Sequence, residues 1–390
     1  MNADFDISLR AHRRAETVDG RNRQASEMAY HLLLLGTQGD SVLVDGAPDK
    51  DFLDYLERAG LSRPVTRVLA GPPIDAEFVP FGWNEEAEQI NGSYARPTSH
   101  PPLDVVKRVN GRRFAAKLER ELFGGDEILG IFEEPDEIEA CIASRPPHEE
   151  WLIKSEHGNA GLGNRRLRSS TLSQPDREVM HRLLAEDACV MVEKWRHRVL
   201  DIATVFELDR EGTVRGLYAY EVVNTADGAY IGSIFDQSSE TLDEWVPGVT
   251  DVALKVAERL AEEGYYGPVC LDHFVWSEGV DLRLRSLADL NARLQVSAPI
   301  LRLWRSWGSD MVVYWRLFAS RKLRLPSDYL ELEAALGGDA FDVASRRGIL
   351  VTSPFDVAGK RLRRFGVLLA GESRADVETM DRRLRERFEK

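Results

Sequence analysis

Two short apolar segments that carry isolated acids constrain the fold of this chain more than any other feature. They are Cys270–Trp276 and Ser286–Arg293. Because side chains alternate between the two faces of a strand, Asp272 shares a face with Phe274 and Trp276. An acid inside a core strand needs a partner, so these segments predict a polar site as well as part of a sheet.

Pairing of the two segments would bring their acids together. In the second segment, Leu287, Asp289 and Asn291 share a face. If the segments are neighbouring antiparallel strands, joined by a loop of roughly eight residues near Gly279, Asp289 faces Asp272. Two carboxylates and a carboxamide then converge, and Mg²⁺ is typically held by such oxygens together with substrate phosphates. The pair therefore predicts a metal–phosphate site.

Arg293 extends this prediction, because it lies two residues past Asn291. Its guanidinium group is a planar fork that suits a phosphate or a carboxylate. The alternative interpretation is that the two strands are merely polar at their edges and that each acid meets solvent.

The bulk composition limits the class of protein. With 390 residues and 43% hydrophobic content, the chain can bury a large core and is expected to form two or three domains. A net charge of −14 and a pI of about 5.2 disfavour nucleic acid or an anionic membrane as a general partner. An acidic chain can still contain a local basic groove. Three scattered cysteines indicate a reducing compartment. The first residues carry no signal-peptide pattern and no apolar run suits a membrane span, so a cytoplasmic location is expected.

The first quarter of the chain predicts a small parallel α/β domain. Residues 1–24 are polar and are interpreted as a loose lead-in. The next elements are expected as a helix or buried strand at Ala25–Leu35, a strand at Ser41–Asp45, a helix at Asp49–Ala59, a strand at Val65–Leu69 and a helix at Asn84–Ile90. This alternation favours a parallel sheet over about 25–100. The proline-rich segment Ala95–Pro102 is typical of a linker.

A basic helix and a glycine-rich loop follow. The predicted helix Val105–Phe123 carries Arg112, Arg113 and Lys117, which could meet an anion or solvate one face. Further along, an apolar strand ends in Lys154, and glycines follow at positions 158, 161 and 163. Glycine loops let backbone N–H groups approach a phosphate, and the lysine supplies a point charge. A hairpin turn has the same appearance, and the Walker A pattern is absent.

The remaining pattern alternates strands and helices. Cys189–Trp195 is a predicted strand, and Glu193 near its end could accept a hydrogen bond from a base or be solvated. The other expected elements are strands at Asp201–Glu207 and Val214–Val223, a helix at Leu242–Glu263, a tryptophan-rich core or interface helix at Arg302–Lys322, a helix at Tyr329–Leu336, strands at Gly348–Ser353 and Arg364–Ala370, and a helix at Arg374–Glu389.

The order of these parts resembles the ATP-grasp superfamily, over residues from about 105 to 300. The resemblance rests on the lysine strand, the glycine loop, the strand ending in Glu-Lys-Trp, and the D…D-x-N-x-R pattern of the acid pair. It implies an α/β (α+β) ATP-grasp fold with three regions. These are a Rossmann-like pre-grasp domain at 1–104, the nucleotide- and metal-binding domain at 105–325, and a small C-terminal α+β region at 326–390.

The resemblance also implies roles for individual residues. For the nucleotide, it implies that Lys154 binds the ATP phosphates, that Arg113 or Lys117 is a second phosphate ligand, and that Asp201 lies near the ribose. It implies a closing loop formed by His157, Gly158, Gly161, Gly163 and Asn164, and an adenine-binding hinge formed by Glu193, Lys194 and Trp195. It also implies that Mg²⁺ or Mn²⁺ is bound by Asp272, Asp289 and Asn291, and that Arg293 and Lys154 act in catalysis. One departure is that Asp289 stands where the family usually has Glu, so bridging of two ions is less certain.

The activity that the resemblance implies is ATP-dependent carboxylate–amine or peptide ligation. A carboxylate would attack the γ-phosphate, an amine would attack the resulting acyl phosphate, and ADP and phosphate would be released. The partners would be small carboxylates and amines, without nucleic acid or membrane, and His157 could act as a base. The alternatives are a phosphotransferase acting on a small-molecule hydroxyl and a nucleotide-binding protein without turnover. The tryptophan-rich stretch could be core or a homodimer contact.

Overall fold

A computed structural model describes residues 2, 4–10, 27–37, 39–44, 46–62, 64–68, 71–158, 161, 164–308, 310–326, 328–357 and 359–389. The strands, numbered in chain order, are β1 Ser41–Leu43, β2 Val65–Arg67, β3 Ile128–Phe132, β4 Trp151–Ser155, β5 Arg165–Leu167, β6 Val190–Lys194, β7 Arg198–Leu208, β8 Val214–Asn224, β9 Tyr230–Phe235, β10 Gly267–Glu278, β11 Asp281–Asn291, β12 Val312–Ala319, β13 Gly348–Val351, β14 Asp356–Val357, β15 Lys360–Arg361 and β16 Arg364–Gly371.

The helices are numbered in the same way. They are α1 Phe5–Ser8, α2 Lys50–Arg58, α3 Glu85–Ser93, α4 Leu103–Val109, α5 Arg112–Phe123, α6 Pro135–Ala143, α7 Gln174–Glu186, α8 Glu240–Asp243, α9 Val246–Glu262, α10 Ala298–Ser306, α11 Tyr329–Leu336 and α12 Arg374–Phe388. Short 3-10 turns include Tyr30–Leu34 and Ser320–Lys322. No helix in these ranges is long and apolar enough to cross a membrane.

A large antiparallel sheet organises the molecule. Its eight described strands run in the order β11-β10-β7-β8-β9-β12-β16-β13. The long strands β7, β8, β10 and β11 carry alternating apolar residues, and helix α9 packs its buried face against this part of the sheet. A second sheet, in the order β3-β6-β4-β5, is covered by α6 and α7 around Trp151 and Met180.

The hairpin that carries the acid pair has the predicted register. In the ladder between β10 and β11, Asp272 lies opposite Asp289, and Cys270 lies opposite Asn291. The connection differs from the expectation: both strands continue outward, and a tight turn with Gly279 in the left-handed region replaces the longer loop. The antiparallel pairing was therefore predicted correctly, and the strand lengths were underestimated.

Two predicted helices are wrong in part. The stretch Val105–Phe123 is two helices, α4 and α5, because Asn110 and Gly111 interrupt the helical hydrogen bonds. A Cβ at Gly111 would lie 2.4 Å from the Glu156 carboxylate, so the break needs glycine. The tryptophan-rich stretch Arg302–Lys322 is the end of α10 followed by strand β12. Trp304 and Trp315 are fully buried in the core.

The terminal regions share a core with the large sheet. Residues of the first quarter, such as Phe52, and of the last quarter, such as Leu369, belong to one hydrophobic cluster with Trp315. The strands β1 and β2 pair in parallel, as the strand–helix–strand pattern predicted. Strands β13 and β16 of the C-terminal region extend the large sheet beyond β12. The division at 1–104, 105–325 and 326–390 stays a proposal about domains.

Candidate functional site

A pocket with an empty volume of about 1090 Å³, open to solvent, is lined by residues of both sheets. Strand β4 contributes Lys154, and the residue after β6 contributes Trp195. The hairpin β10–β11 contributes Asp272 and Asp289 from the opposite side. The antiparallel register brings Asp272 and Asp289 together, since residues that are opposite each other in neighbouring strands point to the same side of a sheet.

Asp272 is an acid of the hairpin whose pKa departs from its ordinary value. Burial, followed by the neighbouring Asp289 charge, raises the pKa of Asp272 to about 7. Asn291 donates from Nδ2 to Oδ2 of Asp272 at 3.1 Å, and this hydrogen bond lowers the pKa of Asp272 by less than burial and Asp289 raise it. The site therefore holds negative charge that its own residues do not fully neutralise.

Arg293 is buried beside this acid pair. Its Nη2 donates to Oδ1 of Asn291 at 2.8 Å, and its Nε donates to Oδ1 of Asp6, also at 2.8 Å. Asp6 belongs to the short helix α1 and is itself buried. Residues 4–10 were expected to be part of a loose lead-in, and the structure contradicts this because they pack into the site.

Arg10 ties the same N-terminal segment to the other side of the pocket. Its Nε donates to the carbonyl of His157 at 2.9 Å, and its Nη2 donates to Oγ of Ser155 at 3.1 Å. Arg10 also forms a buried ion pair with Glu186. Residues 4–10 thus contact both the acid hairpin and the base of the glycine loop.

The cation contributed by helix α5 is Arg112. Its Nη2 lies 3.1 Å from Oδ2 of Asp289, its Nη1 donates to the carbonyl of Ser155, and it lines the pocket. Arg113 was expected here, and that prediction is wrong in position. Arg113 pairs with Glu133 at 2.9 Å with about half of its side chain exposed. Lys117, the other alternative, is also exposed.

Lys154 belongs to a buried chain of alternating charges. Its Nζ lies 2.7 Å from Oε1 of Glu193, whose Oε2 lies 2.8 Å from Nη1 of Arg285. Arg285 in turn makes two hydrogen bonds of 3.0 Å to Glu119. Burial alone would raise the pKa of Glu193, but the charges of Arg285 and Lys154 lower it to about 2. Burial lowers the pKa of Lys154, and the Glu193 charge opposes this. The four side chains are thus paired in alternating sign along the chain.

This ion-pair chain corrects the predicted role of Glu193. Its carboxylate points to Lys154 and Arg285 and does not line the pocket, so it is not placed to read a base. The backbone N–H groups of Lys194 and Trp195 donate to the carbonyls of Glu127 and Glu150 at 2.8 and 2.9 Å. Of the expected hinge residues, Trp195 lines the pocket, and Lys194 does not.

Asp201 lines the same pocket as Trp195, and its role near a ribose stays a prediction. Its Oδ1 lies 2.9 Å from Nη1 of Arg198. The guanidinium of Arg198 stacks over Phe274 at 4.2 Å, and that of Arg166 over Trp195 at 4.3 Å. This wall therefore combines aromatic faces with paired charges.

The glycine loop reaches the pocket through Gly158, Gly161 and Asn164. Gly163, also predicted in this loop, lies outside the described residues. A Cβ at Gly161 would lie 3.1 Å from the carbonyl of Gly228, so the loop passes close to the β8–β9 turn. The side chain of His157 faces away: its Nδ1 lies 3.4 Å from Asp187, and its backbone N–H donates to the same carboxylate. The expected role of His157 as a base has no support in this arrangement.

Comparison with known proteins identifies the architecture. No family model matches the sequence, and no curated protein matches it either. Among solved structures, phosphoribosylamine–glycine ligase from Thermotoga maritima has a TM-score of 0.58 at 14% identity, covering 93% of this chain and 94% of that one. Biotin carboxylase from Campylobacter jejuni, solved as a β-γ-ATP complex, has a TM-score of 0.54 at 12% identity, with 93% and 89% covered. Carboxyaminoimidazole ribonucleotide synthase from Aspergillus clavatus, complexed with ATP, has a TM-score of 0.53 at 13% identity, with 89% and 98% covered.

The chain has the ATP-grasp fold. The predicted resemblance and the mixed α/β fold class are thereby confirmed. Residues of both sheets line the pocket. At such low sequence identity, the likeness establishes the fold, and the roles of individual residues have to be argued from the pocket itself.

The acid cluster of this pocket is chemically suited to Mg²⁺ only in combination with a ligand. Among the described residues, no group of three or more His, Cys, Asp or Glu side chains could hold a metal ion. Asp272, Asp289 and Asn291 offer two carboxylates and one amide, an oxygen donor set that Mg²⁺ uses when phosphates complete its coordination. The raised pKa of Asp272 indicates that a cation would be stabilised there.

Several residues of the site were passed over or missed at the sequence level. Arg112 was one of three basic residues considered for an anion, but it was not chosen as the phosphate ligand, although it shares a helical face with the buried residues Ala115, Ala116 and Glu119. Asp6 and Arg293 are 287 positions apart in the sequence, so no local sequence pattern predicts their contact. Tyr220 and Ser297, hydrogen-bonded through their hydroxyls at 2.9 Å on the pocket wall, were likewise not singled out.

Proposed function

We propose that this protein is an ATP-dependent ligase that joins a carboxylate to an amine. A carboxylate oxygen attacks the γ-phosphorus of ATP, and ADP leaves with the electrons of the broken P–O bond. The amine nitrogen then attacks the acyl carbon, phosphate leaves, and the nitrogen loses a proton. The observation that carries this proposal is the acid pair Asp272–Asp289, which shares one pocket with Lys154, Arg112 and Arg293.

The neighbours in fold space support the general kind of reaction. Their names include a ligase and a synthase, and two of them were solved with ATP or a β-γ-ATP ligand. Phosphoryl transfer depends mainly on positioning and on neutralising charge, and this pocket concentrates both signs of charge. We therefore extend ATP use and carbon–nitrogen bond formation to this chain as a proposal.

Asp272, Asp289 and Asn291 would hold Mg²⁺, or Mn²⁺ in its place. The ion would supply Lewis-acid stabilisation of the charge on the phosphates. Asn291 is oriented for this purpose from two sides, because it donates to Asp272 and accepts from Arg293. Such double fixing keeps a ligand in one rotamer.

The cations would bind the phosphates and the transferred group. Lys154 is held by Glu193 at the inner end of β4, and Arg112 is held by the Ser155 carbonyl. Arg293 is anchored by Asp6 and Asn291, so its position does not depend on substrate. Groups fixed before the reaction need no reorganisation when charge moves in the transition state.

Two structural features would keep water from the acyl phosphate and bind the second substrate. Gly158 and Gly161 line the pocket, and Gly161 lies close to Gly228 of the β8–β9 turn, so we propose that these glycines belong to a lid. The wall with Tyr220, Tyr230 and Ser297 offers hydroxyl groups beyond the acid pair. We place the carboxylate and amine substrates against this wall.

The decisive experiment measures ADP release from ATP and Mg²⁺ with libraries of small carboxylates and amines. The proposal predicts release that needs both substrates and is lost in Asp289→Asn. The matched control is Asp281→Asn, which removes an exposed acid at the tip of the same hairpin. A stable phosphorylated product formed without any amine would indicate a phosphotransferase instead. Equal turnover in Asp289→Asn and wild type would contradict the proposed site.

A further inference from the structure

A second pocket, lined largely by arginines, lies at the end of strand β12. Five guanidinium groups border it, those of Arg321, Arg324, Arg361, Arg363 and Arg364, and we call it the arginine pocket. None of its lining residues lines the ATP-grasp pocket. The two chain segments that form it, 320–325 and 359–364, contain seven basic residues and no acid. The catalytic proposal makes no use of this feature.

Main-chain contacts fix the two segments against each other. Ala319 and Arg364 are opposite each other in the ladder between β12 and β16. The N–H of Ser320 donates to the carbonyl of Arg363 at 2.9 Å, and the N–H of Arg324 donates to the carbonyl of Phe388 at 2.7 Å. The arginines thus project from backbone that is held by the sheet and by the end of α12.

Most of these cations have no carboxylate to pair with. Arg361 pairs with Asp356 at 2.8 Å, and Glu27 accepts from the backbone N–H of Arg363 at 2.7 Å. The guanidinium groups of Arg321, Arg324, Arg363 and Arg364 make no hydrogen bond or ion pair with any residue that the structure describes. Arginines of the ATP-grasp pocket differ, since each contacts a carboxylate or a backbone carbonyl.

The charge of the whole chain makes this cluster unusual. The net charge is −14, and these two segments contribute +7, so the rest of the chain carries −14 − 7 = −21. Carboxylates are abundant in the sequence, yet among the described residues none pairs with the guanidinium groups of Arg321, Arg324, Arg363 or Arg364. Like charges gathered around one pocket repel each other, so an anion that enters would relieve the repulsion and stabilise the folded state.

We propose that the arginine pocket binds a phosphate-bearing anion. Guanidinium groups match phosphate oxygens with two parallel hydrogen bonds, and several of them around one pocket favour a doubly charged group over a carboxylate or chloride. The ligand is either a free phosphate or polyphosphate, or the phosphate group of a small organic molecule. Both share the chemistry that the pocket recognises.

The lining argues against a nucleic-acid strand as the ligand. It contains aliphatic and basic side chains and no aromatic ring among its described residues, so it lacks the aromatic platform on which single-stranded nucleic acids usually stack. A long polyanion would also extend past the pocket into the field of a surface that is strongly acidic overall. A compact anion stays within roughly a Debye length, about 8 Å at physiological salt, of the positive charges.

Calorimetric titration of the full-length protein tests the proposal. The probes are inorganic phosphate, pyrophosphate and glucose 6-phosphate, at constant ionic strength set with chloride. The pocket variant is Arg321→Gln with Arg324→Gln, and the matched control is Arg145→Gln with Arg182→Gln, which removes two exposed arginines elsewhere. A third protein, Lys154→Met, changes the ATP-grasp pocket and leaves the arginine pocket intact. Thermal unfolding in chloride shows that each variant is folded.

We expect at least one probe to bind wild type, the control variant and Lys154→Met with similar affinity. Loss of two charge-assisted contacts should weaken that binding by about tenfold or more in the pocket variant. Preference for pyrophosphate would indicate a free phosphate anion, and preference for glucose 6-phosphate would indicate an organic phosphate. Unchanged affinity in the pocket variant, or no binding of any probe to wild type, would overturn the proposal. Tighter binding of a single-stranded oligonucleotide than of pyrophosphate would also overturn it.

Discussion

The acid hairpin and the ion-pair chain lie side by side in one site, and they differ in whether their buried charges have partners of opposite sign. In the chain, Lys154, Glu193, Arg285 and Glu119 alternate in sign, and each charge has a partner. In the hairpin, Asp289 pairs with Arg112, whereas Asp272 receives only an amide hydrogen bond from Asn291, and burial and the Asp289 charge raise its pKa. Buried charges that are matched hold the two sheets together, whereas unmatched ones are stabilised only when a ligand brings the opposite charge.

The largest expected effect comes from breaking the matched chain. Glu193→Gln would leave Lys154 and Arg285 without their shared carboxylate, and uncompensated buried charge costs roughly 3–5 kcal/mol of the free energy of unfolding. Urea unfolding measures it. The control is Arg283→Gln on the same strand as Arg285, where an exposed pair with Glu278 should contribute less than about 1 kcal/mol. Equal losses in the two variants would remove the distinction between matched and surface charges.

The next effect separates two adjacent arginines. Arg112→Lys should lower kcat/KM for ATP by about 100-fold, because a lysine cannot hold both the Ser155 carbonyl and Asp289. Arg113→Lys should change it less than about threefold, since Arg113 faces Glu133 at the surface. Steady-state kinetics in the ligase assay measures both. The reverse order of effects would restore the original prediction of Arg113.

Removing the charge of Asp272 should stabilise the protein, whereas removing the charge of Glu193 should destabilise it. Because the pKa of Asp272 in the folded state is about 7 and that in the unfolded chain is near 3.8, the folded state binds more protons between these values. In metal-free buffer, stability from this group is present below about pH 4 and is lost as the pH rises through 7. Asp272→Asn should therefore raise the free energy of unfolding at pH 8 by roughly 1–3 kcal/mol while abolishing Mg²⁺-dependent turnover.

Denaturation at pH 4 and pH 8 checks this prediction. The difference in stability between the variant and wild type should be large at pH 8 and small at pH 4. Destabilisation by Asp272→Asn at both pH values would mean that the acid is already matched by its surroundings, and the comparison between the hairpin and the chain would fail.

The smallest effect concerns the N-terminal segment, which joins the two regions. Asp6→Asn keeps the shape of the side chain and removes the charge that holds Arg293. Because Arg293 keeps hydrogen bonds to Asn291 and to the Leu294 carbonyl, we expect a loss of only about 1–3 kcal/mol in stability. In the proposed reaction, kcat should fall several-fold with little change in KM for ATP, because Arg293 would act on the transferred group. A fall in stability with unchanged kcat would assign Asp6 a structural role alone.

The sequence predicted best those features that follow from local periodicity. The alternation in Cys270–Trp276 and Ser286–Arg293 was enough to give the register that brings Asp272 opposite Asp289. Apolar runs without clear periodicity were predicted poorly. The run at Arg302–Lys322 was expected to be helical, yet its second half is a central strand, because a strand buried on both faces has no polar alternation.

Contacts between distant parts of the chain were beyond the reach of sequence patterns. The pairings of Asp6 with Arg293 and of Glu193 with Arg285 depend on how the sheets come together. The error at Arg113 was avoidable, since the buried helical face at Ala115 and Ala116 includes Arg112. Glycine positions pointed correctly to the loop that reaches the pocket, at Gly158 and Gly161.

The measurement that most directly tests the central claim is the affinity for ATP, by calorimetry, with and without Mg²⁺. Wild type, Asp289→Asn and the control Asp281→Asn are compared under the same ionic strength. If the acid hairpin is a cation site completed by phosphate, Mg²⁺ should tighten ATP binding to wild type and to the control by about tenfold or more, and it should have little effect in Asp289→Asn. ATP affinity that is the same with and without Mg²⁺ in wild type would contradict the account.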